Sequence, residues 1–82
     1  MARYFLQLRD CQEETLDPEG SEHPTVEALR RFVLSSVRDL ITGDVRNGVI
    51  DFRFRVDAED ADGVIVYSLP FKDAVNIIPA AA

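Results

Sequence analysis

From Arg3 to Arg9 the chain alternates, with Tyr4, Leu6 and Leu8 on one side and Arg3, Phe5, Gln7 and Arg9 on the other. Period-two alternation predicts a half-buried strand. The clearest alternation follows Asn47-Gly48, where Ile50, Phe52, Phe54, Val56 and Ala58 interleave with Asp51, Arg53, Arg55, Asp57 and Glu59. In the next run Ile65, Tyr67, Leu69 and Phe71 oppose Val64, Val66, Ser68 and Pro70. Two antiparallel hairpins are open to these runs. A turn through Ala61-Asp62 pairs Ala58 with Ile65 and Val56 with Tyr67, whereas a turn through Asp62-Gly63 slips the register by two residues. Both place the same side chains on the same face, because strand side chains alternate with period two.

Between these strands the period changes. Pro24-Thr25 announces a helix: the Thr hydroxyl accepts from a free N–H of the first turn, and Glu27 sits at the positive end of the helix dipole. Val26, Leu29, Val33, Ser36, Val37, Leu40 and Ile41 fall on one face at 100° per residue, and Phe32 and Leu34 widen the apolar arc. The predicted span is Val26 to about Thr42. Continuing it would set Asp44 in the middle of the apolar face, so Gly43 is expected to stop it with a left-handed cap.

The acidic stretch from Asp10 to His23 reads as a connection. Its Asp17-Pro18-Glu19-Gly20 places suit a type I turn, and a short strand around Glu14–Leu16 is weakly signalled. At the other end, Lys72–Pro79 reads as either a short strand or a helical turn. The expected fold is therefore α+β. One domain spans residues 1–82, with an antiparallel sheet of three to four strands and one helix packed on one face, in ββαββ or βαββ order. A chain of 82 residues buries a small core, and self-association is a common remedy.

Composition narrows the function classes. A formal net charge of −6 argues against nucleic acid or an anionic membrane as the main partner. No apolar run approaches a membrane span and no secretory leader is expected at the start, so the cytoplasm is the expected compartment. A single cysteine, Cys11, excludes an internal disulfide and fits a reducing compartment.

Few residues carry chemistry. The segment Val56–Val64, "VDAEDADGV", crowds Asp57, Glu59, Asp60 and Asp62 together. Aligning Gly63 with the invariant Gly of an EF-hand loop puts Ala58 and Leu69 where oxygen ligands are required, so the stretch reads as a hairpin turn with a solvated charge run. His23 is the only histidine and reads as a solvated loop residue, and with Cys11 it falls short of the ligands a zinc site needs. The acidic neighbours of Cys11 would raise a thiol pKa. There is no glycine-rich phosphate loop and no Ser-His-Asp set. No catalytic residue, cofactor or metal is therefore expected, and the protein is expected not to be an enzyme.

The leftover sheet face is the candidate site. If the aromatic sides of the strands meet the helix, then Arg3, Phe5, Arg9, Arg53, Arg55, Val64 and Val66 share the opposite surface. Basic side chains around an exposed Phe and two Val suit a protein interface, with a homodimer first and an unidentified protein partner second. The alternative is nucleic-acid or anion binding by the same arginines, for which one aromatic is a poor stacking platform.

Taken together, "RYFLQLRD", "LDPEG", "PTVEALRRF" and "LPFKDAV" resemble a family of very short bacterial proteins, frequent in alphaproteobacteria, defined only as a domain of unknown function. That resemblance implies a fold unit and lends no activity. The helix start Thr25, Glu27, Ala28, Leu29 behind an acidic, glycine-containing segment is also similar to the N-terminal domain of HicB-type antitoxins. This second resemblance covers the first half and implies a toxin-neutralising or regulatory domain.

Overall fold

The computed structural model describes residues 1–81 and has the order βββαββα. Its elements are β1 (Ala2–Arg9), β2 (Glu14–Thr15), β3 (Ser21–His23), α1 (Val26–Arg46), β4 (Arg55–Glu59), β5 (Ile65–Pro70) and α2 (Phe71–Ala74). All pairings are antiparallel. The path across the sheet is β2-β1-β4-β5, and β3 pairs with the same edge of β1 as β2 does, farther along it. The α+β class holds, with five strands where three to four were expected. The surplus is Ser21–His23, too short to show a period.

One face of this sheet is the core. Leu29, Val33, Val37 and Ile41 of α1 are buried against Val56 and Ala58 of β4, Leu69 of β5, and Phe71 and Ala74 of α2. Tyr4, Leu6, Leu8, Phe52, Phe54 and Tyr67 pack around them, as the alternation predicts. Each fully buried large side chain of this kind contributes roughly 1.5–3 kcal/mol.

The hairpin adopts the second of the two registers, with Val56 opposite Leu69 and Ala58 opposite Tyr67. Its turn is built by Asp60, whose Oδ1 accepts from the N–H groups of Asp62 and Val64 at 2.9 and 3.0 Å. A bulge at Ala58/Glu59 then breaks the alternation. Ile65, expected to point inward, is consequently 51% exposed.

Two boundaries differ from expectation. The helix starts as predicted, with Thr25 Oγ1 accepting from Ala28 N at 3.0 Å. It does not stop at Gly43 but runs to Arg46, and the left-handed residue is Gly48 (φ 83°). Ile41 is the last buried position of α1, so Asp44 lies beyond the core and costs nothing there. The second correction concerns Ile50 to Phe54, which precede β4 as irregular chain rather than strand. Phe52 and Phe54 still turn toward the core, and Phe71 N donates to Phe54 O at 3.0 Å. At the C-terminal end Lys72 lies in the single turn of α2, and no strand follows among the described residues.

Candidate interaction surface

The outer face of the sheet is organised by charge pairing. Register sets Arg9 directly opposite Arg55, a like-charge pair that would destabilise the ladder if left alone. Asp57, two positions along β4, sits between them with a side chain only 1% exposed. It accepts from Arg9 Nη1 at 3.0 Å, from Arg55 Nε at 3.2 Å and from Ser68 Oγ at 2.5 Å. Arg9 also binds Glu14 Oε1 at 2.7 Å and Glu59 Oε2 at 2.6 Å.

This cluster shifts the titration of Asp57 and Arg9. Burial pushes the Asp57 carboxyl up, but the hydrogen bonds from Ser68 and Arg9 and the nearby Arg55 charge outweigh it, leaving the pKa below the ordinary aspartate value. Arg9 is held more firmly protonated by its hydrogen bonds to Glu14, Asp57 and Glu59. "VDAEDADGV" therefore splits in two. Asp60 and Asp62 belong to a solvent-facing turn, as read from the sequence, whereas Asp57 and Glu59 are ligands of arginine rather than a solvated run.

The other candidate residues are spread along this face. Arg3 donates to the carbonyl of Glu19 at 2.7 Å and lies 3.4 Å from Glu22 Oε1. Phe5 is not an exposed aromatic but half-buried, because the chain at Gly20 crosses over its ring. Arg53 precedes β4 and is clamped by Asp51, with Nε to Oδ1 at 3.0 Å and Nη2 to Oδ2 at 2.8 Å. That clamp draws the Asp51 carboxyl down to about 2. Val64 and Val66 are 56% and 42% exposed, with no side chain laid over them comparable to the loop above Phe5.

Two histidine and cysteine expectations meet different outcomes. Cys11 is exposed in the connection after β1. His23 is buried rather than solvated: Nε2 lies 2.8 Å from Ser21 Oγ, and its ring packs on Phe32 at 4.6 Å between centroids. Among the described residues no group of three or more His, Cys, Asp or Glu is placed to hold a metal, and no helix is long and apolar enough to cross a membrane.

What sequence reading missed is the contrast between the two sheet edges. On the outer edge of β1, β2 covers Leu8 and Arg9, and β3 covers Ala2 to Tyr4. Between them Asp17 Oδ2 accepts from Leu6 N at 3.2 Å, standing in for a strand. On the outer edge of β5 no strand pairs among the described residues. Because Phe71 N donates inward to Phe54 O, strand alternation turns the amide group of Ser68 away from β4, and Val66 is the extra residue of the bulge, between the positions opposite Ala58 and Glu59. Pro70 falls on the same outward phase, where its missing N–H costs no ladder bond. The signal available beforehand was the absence of any charged residue from Gly63 to Phe71.

The model of one protein family, described as a domain of unknown function (DUF6894), matches residues 3–72. No curated protein and no solved structure matches the chain.

Proposed function

We propose that this chain, which belongs to the DUF6894 family, is a non-catalytic interaction module that self-associates through the open side of its sheet. One observation carries the reading: β5 is an edge strand, and Val64 just before it and its first two residues, Ile65 and Val66, are all exposed, with no charge among them. Uncharged, exposed edges can template the pairing of another chain, and here the blunting is limited to the bulge at Ala58/Glu59 and to Pro70 at the end of the strand, with no lysine and no covering segment among the described residues. The proposal moves the contact away from Arg3, Phe5 and Arg9, which are committed within the protomer, toward Arg55, Val64 and Val66. A cytoplasmic setting belongs to the same reading, since exposed Cys11 then stays a thiol.

The alternative of anion or nucleic-acid binding is weakened by the pairing of its arginines. Arg3, Arg9, Arg53 and Arg55 each face a carboxylate at 3.4 Å or less, and an incoming phosphate would have to displace it. A toxin-neutralising role would use the same open strand with a different chain upon it.

Gel filtration coupled to light scattering is the test. A mass above that of one chain at high micromolar concentration is expected, and a monodisperse monomer there would overturn the proposal.

A further inference from the structure

The two longest stretches of the chain without a charged side chain are Gly63–Phe71, which contains the open edge strand β5, and the tail that begins at Ala74. Neither has a strand beside its open side among the described residues. Resting on the self-association proposed above, we infer that Asn76–Ile78 of one copy adds as a strand to the open edge of β5 in a second copy.

The tail has the form of a donor strand. After the turn of α2 the backbone of Val75 is already extended (φ −136°, ψ 156°), and its side chain packs against the core. Arg38 Nε donates to the carbonyl of Ala74 at 2.9 Å and ties the root of the tail to α1. Beyond this anchor the apolar side chains are left in water, with Ile77 63% and Ile78 84% exposed. Isoleucine suits a strand, and Pro79, which has no N–H for a ladder, ends the segment.

The edge has the form of an acceptor. Ser68 turns its backbone away from β4, and Ile65 and Val66 at the start of β5 are exposed. A strand laid along this side satisfies the backbone of Ser68 and takes apolar surface of both segments out of water.

Charge selects the occupant. Two copies of a chain with net charge −6 repel at long range, so a self-contact must avoid opposing carboxylates. The edge and the tail are the stretches that do so. Each copy exposes both at once, and within the protomer the tail does not lie on β5. An exposed edge and an exposed segment able to fill it, on one chain, single out a second copy among partners able to add a strand.

The experiment is sedimentation across a concentration series for the wild type, the tail variant Ile77→Ser/Ile78→Ser, the edge variant Val66→Lys, and an equimolar mixture of the two variants, with circular dichroism confirming that each is folded. Each variant alone is expected to raise the dissociation constant about a hundredfold. Long-range repulsion cannot produce either loss, since the first variant leaves the net charge unchanged and the second makes it less negative. The mixture is expected to associate about tenfold more tightly than either variant alone, because the intact tail of one meets the intact edge of the other. That recovery is the decisive readout, since two damaged folds would not repair each other. A tail variant that associates like the wild type, or a mixture no tighter than its components, overturns the tail exchange and leaves self-association standing elsewhere. A wild type that remains monomeric at high micromolar concentration overturns both.

Discussion

Along one margin of the sheet the chain doubles back twice onto β1, laying down Glu14–Thr15 and Ser21–His23 and filling the gap between them with the side chain of Asp17. Along the other margin β5 ends the ladder with its outward amides unpaired by any strand among the described residues. Both margins pose the same physical problem, a row of backbone donors and acceptors that must be satisfied. The first solves it internally, with strands too short to stand alone and a carboxylate that takes the place of a backbone carbonyl. The second leaves the solution to water or to another chain. Where a fold has finished one edge with such care, a bare, uncharged edge opposite is the place to look for a partner.

The closed margin is the easier to break. Gly20 sits at φ 70°, and a Cβ there would lie 2.7 Å from the backbone oxygen of Tyr4 and 2.8 Å from the ring of Phe5. Neither the strand carbonyl nor a packed ring can yield cheaply. Gly20→Ala is expected to cost about 2–4 kcal/mol, the largest effect on either edge, measured as the shift of the urea midpoint. Asp17→Ala comes next at about 2 kcal/mol, since it strips the acceptor from the N–H groups of Leu6, Glu19 and Gly20. Hydrogen exchange should then show the Leu6 amide losing protection before the β1–β4 ladder does. An unchanged Leu6 rate would mean that water closes this edge as well as Asp17 does.

How much of this could be read beforehand follows from the range of the interactions. Face assignment depends on parity, a local property, so Phe52, Phe54 and Tyr67 turn toward α1 while Arg53 and Arg55 stay outside, as the alternation demands. The Thr25 cap is equally local and equally legible. The register of the hairpin was one of two alternatives, and only the bonding of Asp60 to the turn selects between them. What was invisible joins distant segments. Asp17 reaches Leu6 and Gln7, His23 reaches Phe32 across a change of element, and Asp57 gathers Arg9 from another strand. Each of these reads in sequence as an ordinary polar residue in an acidic chain. Gly43 misled for the opposite reason, as a local stop signal overridden where the helix outruns its sheet.

Between the two margins lies Asp57, and its titration sharpens the comparison. Its carboxyl pKa is lowered on folding, so the charged form is the one that the native state favours. That contribution is complete above the ordinary Asp value, about 4, and is lost as pH falls through the depressed native value. Asp57→Asn is expected to cost about 1.5 kcal/mol at neutral pH, with the gap to wild type narrowing as the solution is acidified below about pH 4. Denaturant titrations at a series of pH values provide the check. A gap that persists into strong acid would assign the loss to packing rather than to the charge held between Arg9 and Arg55.

The smallest effect belongs to the open margin. Val66 is 42% exposed and is the extra residue of the bulge in β5. Replacing it by lysine gives up some strand propensity and little buried area, so the stability of the isolated protomer should move by no more than about 0.5 kcal/mol in dilute solution, below the dissociation constant of any dimer. Thermal unfolding of wild type and Val66→Lys at the lowest workable concentration measures this directly. If the two coincide there and diverge as concentration rises, the missing stability resides between molecules, and β5 is an edge only in the protomer. If Val66→Lys is instead destabilised by several kcal/mol in dilute solution, this side chain supports the fold itself, and the margin that looks unfinished is already closed from within.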